Sequence, residues 1–232
     1  MTPPEAEVEL WRRAGRIGAA ARELGAGLLR PGAGRRDVAE EVERCQRCPL
    51  HLTRTRAVPG FGPATARLMA VGEAPGERED REGRPFVGAA GQLLTRLLEG
   101  IGLSRQDIFI TNVLKSRPPG NRDPLPEEVA ACAPFLDAQV EIIRPQAILL
   151  LGRHALQRLI PGAPGISLCH GQVLRVGERS YFPCYHPAAA LYNSQLLEVL
   201  ERDFQALRRH LDQLAAPPAA PPPAPPEQLG LF

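Results

Sequence analysis

Three short apolar runs constrain this chain more than any other feature: RLMAVG (67–72), DIFITNV (107–113) and QAILLLG (146–152). Each is too short for a stable helix and unbroken rather than alternating. That is the pattern of a strand covered on both faces, as in a parallel sheet. Helical apolar spacing fills the intervals, in AGQLLTRLLEGIG (90–102) and PEEVAACAPFLDAQVEIIRP (126–145). In the second, Pro126 pre-sets the first turn, and Glu127 and Glu128 put negative charge where the helix dipole favours it. GQVLRV (171–176) and SYFPCYH (180–186) read as a late strand pair about a turn at Gly177-Glu178, and a last helix covers roughly 195–214. The alternation predicts an α/β fold, a three-layer α/β/α sandwich about a central, mostly parallel sheet.

Around this domain, 41–214, the sequence changes character. Residues 1–40 read as an N-terminal helical extension, with helical spacing over 5–30 that ends near Pro31-Gly32. From about Ala215 the chain becomes AAPPAAPPPAPPEQ, which cannot build a core, so 215–232 is predicted to be a disordered tail of polyproline character ending in QLGLF.

Charge excludes little. Lys plus Arg is 28 against 26 for Asp plus Glu, a net +2 that permits nucleic acid as a partner without demanding it. Nearly all the basic residues are Arg, which favours planar hydrogen bonding to phosphates and carboxylates. Five cysteines in 232 residues are no disulfide scaffold. The pair Cys45-x-x-Cys48 suits a reducing cytoplasm better. No apolar run approaches the roughly 20 residues that span a bilayer, and the acidic, polar N-terminus is unlike a secretory signal.

Open α/β sheets bind ligands at the carboxyl ends of their strands, and three loops there are unusual. After the first strand comes GEAPGEREDREGRPFVGAAGQ (72–92), whose glycines let backbone amides approach a ligand or simply make turns. No Gly-Lys-Ser/Thr follows, which argues against a nucleotide hydrolase. After the second comes Asn112, then KSRPPGNRDP with Lys115, Arg117, Asn121 and Arg122. An Asn ending a buried apolar strand must find hydrogen bonds, either by capping the strand or by reading a nucleobase edge with its paired acceptor and donor. The third loop carries His186-Pro187. His51, His154, His170 and His210 have no comparable setting and are read as structural.

Taken in order, CxxC (45–48), GEAPGE, GRPFVGxAGQ, TNxxKxRPPxNRxPxPxE, a Cys in the next helix and HPAAAL (186–191) resemble the family 4 uracil-DNA glycosylases, base-excision enzymes with a [4Fe-4S] cluster. The resemblance runs from Cys45 to Leu191. It implies that Phe86 stacks on a flipped-out uracil, that Asn112 reads N3–H and O4, and that Glu73 and Ala74 line the pocket. His186 would then donate toward O2 of the departing base. Family 1 enzymes carry a water-positioning Asp where this chain has Ala74, so water orientation falls to Asn121 or Glu79. Lys115, Arg117 and Arg122 become the DNA-phosphate contacts. A weaker alternative is a sensor that binds uracil-DNA without turnover.

The resemblance also implies the cluster ligands Cys45, Cys48 and Cys132, with a fourth Cys directly after Lys115. This chain has Ser116 there. A hydroxyl is a harder and weaker iron ligand than a thiolate. A four-iron cluster with Ser116 or water, a three-iron cluster, and a metal-free site all stay open. The tail QLGLF resembles the bacterial sliding-clamp-binding peptide, with Gln228, Leu229, Leu231 and Phe232 as anchors, so a clamp is an expected partner of an otherwise monomeric, cytoplasmic, nucleoid-associated enzyme.

Overall fold

The computed structural model describes residues 34–215. The helix expected over 5–30 and the QLGLF peptide lie outside them. Five strands, β1 (Leu68–Gly72), β2 (Phe109–Asn112), β3 (Ala147–Leu151), β4 (Leu174–Val176) and β5 (Arg179–Cys184), form one sheet in the order β2-β1-β3-β5-β4. All neighbours run parallel except β4, which closes an antiparallel hairpin on β5. Every residue of β1, β2 and β3 is buried, which is why those runs are unbroken.

The helices are α1 (Arg35–Arg44), α2 (Glu77–Glu82), α3 (Ala89–Glu99), α4 (Pro126–Ile143), α5 (Arg153–Leu159), α6 (Ile166–Cys169), α7 (Pro187–Ala190) and α8 (Ser194–Ala215). Side chains alternate along β1 between two cores. Leu68 and Ala70 join Leu94 and Leu98 of α3 and Phe204 and Leu207 of α8 on one face. Met69 and Val71 join Leu136 and Val140 of α4 and Leu156 of α5 on the other. Each of the larger side chains buried here, Ala70 excepted, stabilises the fold by about 1.5–3 kcal/mol relative to exposure. The result is the three-layer α/β/α sandwich expected.

Differences from expectation cluster at short elements. The boundary at residue 40 falls inside α1, whose Val38 and Val42 pack on Ala57 and on Phe135 of α4. The helices α2, α5, α6 and α7 have between four and seven residues, too few to show a helical period. Among the described residues no helix is long and apolar enough to cross a membrane.

Parallel strands aim their carboxyl ends the same way. In sequence β1 is followed by β2 on one side and then by β3 on the other, so the connections diverge above β1 and β3. A crevice opens where this happens, outside the strand ends.

Candidate active site

A pocket of about 270 Å³ occupies that crevice, lined among others by Glu73, Ala74, Glu79, Phe86, Asn112 and His186. The loops that form it are tied together by main-chain bonds that continue the sheet, from Val113 N–H to Gly72 O and from Leu114 N–H to Glu73 O, both 2.9 Å.

Asn112 is the last residue of β2 and lies opposite Gly72 in the register. It is 2 % exposed, and its Oδ1 has no hydrogen-bond partner. A buried amide oxygen left unpaired costs about 1–3 kcal/mol, so this atom is not capping the strand. Gly72 leaves it room: a Cβ there would come within 2.5 Å of both Asn112 Oδ1 and the Phe86 ring.

Phe86 stands across from it, buried, with its ring 5.7 Å from that of His186 at 30°. Its φ is +53°, a left-handed conformation that non-glycine residues seldom adopt. His186 follows β5, and Ala188 N–H donates to its Nδ1 at 3.1 Å. Burial pushes its pKa down to about 4, against the opposing pull of Glu79. The ring is therefore neutral near pH 7, and with Nδ1 accepting, its proton sits on Nε2. The imidazole thus brings a neutral N–H donor to the pocket wall.

Glu79, in α2, accepts from the amides of Val87 and Gly88 through Oε1, at 2.8 Å each. Its Oε2, which a Cβ on Gly76 would meet at 2.8 Å, makes no hydrogen bond among the described residues, and Glu79 lines the pocket. Asn121 also lines the pocket, but its Oδ1 accepts from Arg117 Nε at 2.7 Å. Of the two candidates for orienting water, Glu79 has the uncommitted oxygen.

The basic residues divide. Lys115, expected on DNA phosphate, is instead sealed in the interior at 1 % exposure. Its Nζ donates to Thr111 Oγ1 and Asn112 O at 2.7 Å and to Gln139 Oε1 at 2.8 Å, and burial lowers its pKa to about 7. Its residue type suggested a phosphate contact; its place one turn beyond a buried strand made it a strut beneath Asn112. Arg117 and Arg122 remain near the surface. Arg122 is held by a two-pronged pair with buried Glu128, at 2.6 and 2.9 Å.

Of the candidate cluster ligands, Cys48 and Cys132 share a small apolar cluster with Ala74 of the pocket, while Cys45 packs against Val38, Val42 and Phe135. Cys132 packs with Leu50 and Leu114, and Cys48 lies against them. Burial pushes the Cys132 thiol up to about 11, and the charges of Cys48 and Cys45 are close enough to add to this. Cys45, Cys48 and Cys132 are thus within electrostatic reach of one another. At the fourth expected position the side chain is already engaged. Ser116 Oγ is buried and accepts from Arg54 Nη1 at 2.9 Å, while Arg54 Nη2 holds Glu43 O at 2.8 Å. Among the described residues the group whose ligand atoms lie within 4.8 Å of each other is Glu73, Asp123 and His154, not the cysteines.

His154, read above as structural, and Arg105, which no motif includes, both lie against residues of the site. His154 sits 3.7 Å from Glu73 and 3.6 Å from Asp123, brought there by α5 from far along the chain. Arg105 bonds the loop of Phe86. Neither belongs to a motif, and no local signal marks either.

Comparison with known proteins agrees with this geometry. Residues 59–212 match the family model of the Uracil DNA glycosylase superfamily. A Type-4 uracil-DNA glycosylase of Saccharolobus solfataricus is 49% identical over 183 residues, covering 75% of this chain and 85% of that protein. One from Archaeoglobus fulgidus is 49% identical over 179 residues, 74% and 90% of the two chains. One from Thermotoga maritima is 46% identical over 172 residues, 72% and 90% respectively.

Proposed function

The chain belongs to the uracil-DNA glycosylase superfamily, and we infer from its pocket how it hydrolyses the N-glycosidic bond of uracil in DNA, leaving an abasic site. The observation that carries the reading is the buried, unpaired Oδ1 of Asn112. Uracil presents an N3–H donor beside an O4 acceptor, the complement of an amide. Cytosine presents the reverse at both atoms, so admitting it would leave buried polar groups mismatched, a difference that discriminates by about 10⁴ or more. The nucleotide must leave the stack to reach the pocket, and Phe86 offers its ring a face.

Bond cleavage leaves positive character on the sugar and negative charge on the base, spread toward O2. His186 meets that charge as a neutral donor through Nε2–H. Its interaction strengthens as charge develops, which is the condition for lowering a barrier rather than merely binding. Because its pKa is about 4, the ring gives a hydrogen bond without transferring its proton. Water is oriented by the free oxygen of Glu79. The carboxylate stays anchored by Val87 and Gly88 while it does so.

Cys45, Cys48 and Cys132 would hold a [4Fe-4S] cluster, whose chemistry is that of a cross-link between the segment after α1 and α4. Ser116 would complete it only by giving up Arg54. The tail residues Gln228, Leu229, Leu231 and Phe232 would dock on a sliding clamp, and the Pro-rich tether would raise the enzyme's effective concentration at the nucleoid. Deleting 228–232 should abolish clamp binding and leave excision on short DNA unchanged.

The test of the central reading is multiple-turnover release of uracil from an oligonucleotide with one uracil, for the wild type beside Asn112→Ala and His186→Ala. Release that collapses in both supports these roles. Tight binding of uracil-DNA without release would make the chain a sensor and overturn them.

A further inference from the structure

We propose that Arg105 is a positioning residue for uracil excision: its guanidinium grips the consecutive carbonyls of Pro85 and Phe86 and so holds the Phe86 ring in the pocket. The proposal rests on the reading of Phe86 as the wall that a flipped uracil packs against.

A phenylalanine at φ +53° is held there by its surroundings, since its Cβ disfavours that conformation. Two features over-determine it. On one side the first turn of α3 presses on the Phe86 carbonyl so closely that a Cβ on Gly91 would overlap it. On the other side Arg105 Nη1 donates to Phe86 O at 2.7 Å and Nη2 to Pro85 O at 2.9 Å. The same Nη1 lies 3.3 Å from Gly91 O and 3.2 Å from Thr95 Oγ1, so one guanidinium joins the loop to the helix that bounds it.

Arg105 is aimed by its own turn, in which Ser104 N–H donates to Asp107 Oδ2 at 3.0 Å and Gln106 N–H to Ser104 Oγ at 3.2 Å. It is half-buried and accepts that cost of burial although its bonds are to neutral oxygens. A planar fork can hold two successive carbonyls at once, whereas a lysine ammonium reaches a single point. Release of the fork leaves Phe86 free to return to an ordinary backbone conformation, which swings its ring away from Gly72, Asn112 and His186.

The experiment is a double-substitution cycle on the full-length enzyme. Arg105→Gln, Arg105→Lys, Phe86→Ala and Arg105→Gln with Phe86→Ala are compared for kcat, KM and inhibition by free uracil, with Tm recorded for each. The expected result is a loss in kcat/KM on the order of 10²-fold for Arg105→Gln, the scale of a misplaced contact, with uracil inhibition weakened alongside. Arg105→Lys should recover little, because charge returns without the fork. In the Phe86→Ala background Arg105→Gln should add almost nothing, since its effect runs through the missing ring. Full rescue by Lys would assign the effect to charge, through nearby Glu79, and overturn the proposal. So would equal losses in both backgrounds, or a lowered Tm with kcat/KM and uracil inhibition unchanged. An unimpaired Phe86→Ala enzyme would remove the reading of the pocket wall itself, and the proposal with it.

Discussion

Replacing Asn112 should make the protein more stable and nearly inactive. Its Oδ1 is buried and unpaired, and an orphaned acceptor costs about 1–3 kcal/mol. Alanine removes that atom. The space it leaves opens onto the pocket rather than forming a closed void, so the usual cavity penalty of core truncation is small. A net gain of about 1–2 kcal/mol corresponds to a Tm higher by roughly 2–8 °C for a domain of this size. Activity should move the other way. Uracil would lose hydrogen bonds at N3–H and O4, with its own polar atoms then desolvated and unmet, so kcat/KM should fall by about 10³-fold or more. The assays are thermal unfolding and steady-state excision on a single-uracil oligonucleotide. Saturating free uracil should raise the Tm of the wild type and not that of Asn112→Ala, because ligand stabilisation needs the bonds that the variant lacks. A variant that melts several degrees lower and keeps activity within tenfold would mean that the amide caps the strand, and the argument from the orphaned oxygen would fail.

Other expectations follow from the same geometry. The acid limb of excision should lie near the folded His186 pKa of about 4 and not near 6.5. Above 6.5 neither folded nor unfolded ring is protonated, whereas between 6.5 and about 4 only the unfolded ring takes a proton. Stability contributed at this site is therefore complete above 6.5, falls over that window by at most about 3 kcal/mol, and His186→Gln should flatten the slope of Tm against pH there. Glu79→Gln keeps an acceptor for Val87 and Gly88 and loses the charge, so kcat should drop by about 10²-fold or more with Tm held; loss of Tm instead would make Glu79 a loop anchor only. Arg117→Ala should flatten the dependence of log affinity on log salt by about 0.7–0.9, measured by DNA titration at several salt concentrations. Ser116→Cys should raise iron and sulfide retained under chelator, and equal loss from both proteins would rule out position 116 as a ligand.

The legible parts of this fold are those in which a local pattern and its burial agree. The runs of β1, β2 and β3 are unbroken because both faces are covered, and the two long helices show their period. The pocket residues were legible for a different reason. Asn112 ends a strand, and Glu73 and His186 closely follow one, so their neighbourhood is fixed once the sheet is parallel. What stayed hidden depends on contacts made across the fold. Lys115 resembles a phosphate ligand in every local respect, and only the depth of Thr111 and Gln139 around its ammonium makes it a strut. Arg54 reaches Ser116 across 62 residues, and His154 reaches Glu73 from α5, the helix that follows β3.

The residues that define the pocket share one property: each is held in a state that the fold alone would not choose. Asn112 keeps an unpaired oxygen, Phe86 a left-handed backbone, and His186 a neutral ring under a carboxylate's pull. Each state is costly in the free protein, and the surrounding structure sustains it through bonds made elsewhere. Lys115 fixes the carbonyl of Asn112, Arg105 that of Phe86, and the Ala188 amide the tautomer of His186. A donor or acceptor already fixed and dry needs no reorganisation when charge appears on the departing base, which is how a neutral imidazole can act as effectively as a charged group in water. Such a site needs supports that touch no substrate, and their loss should read out in kcat and in uracil inhibition before it reads out in Tm.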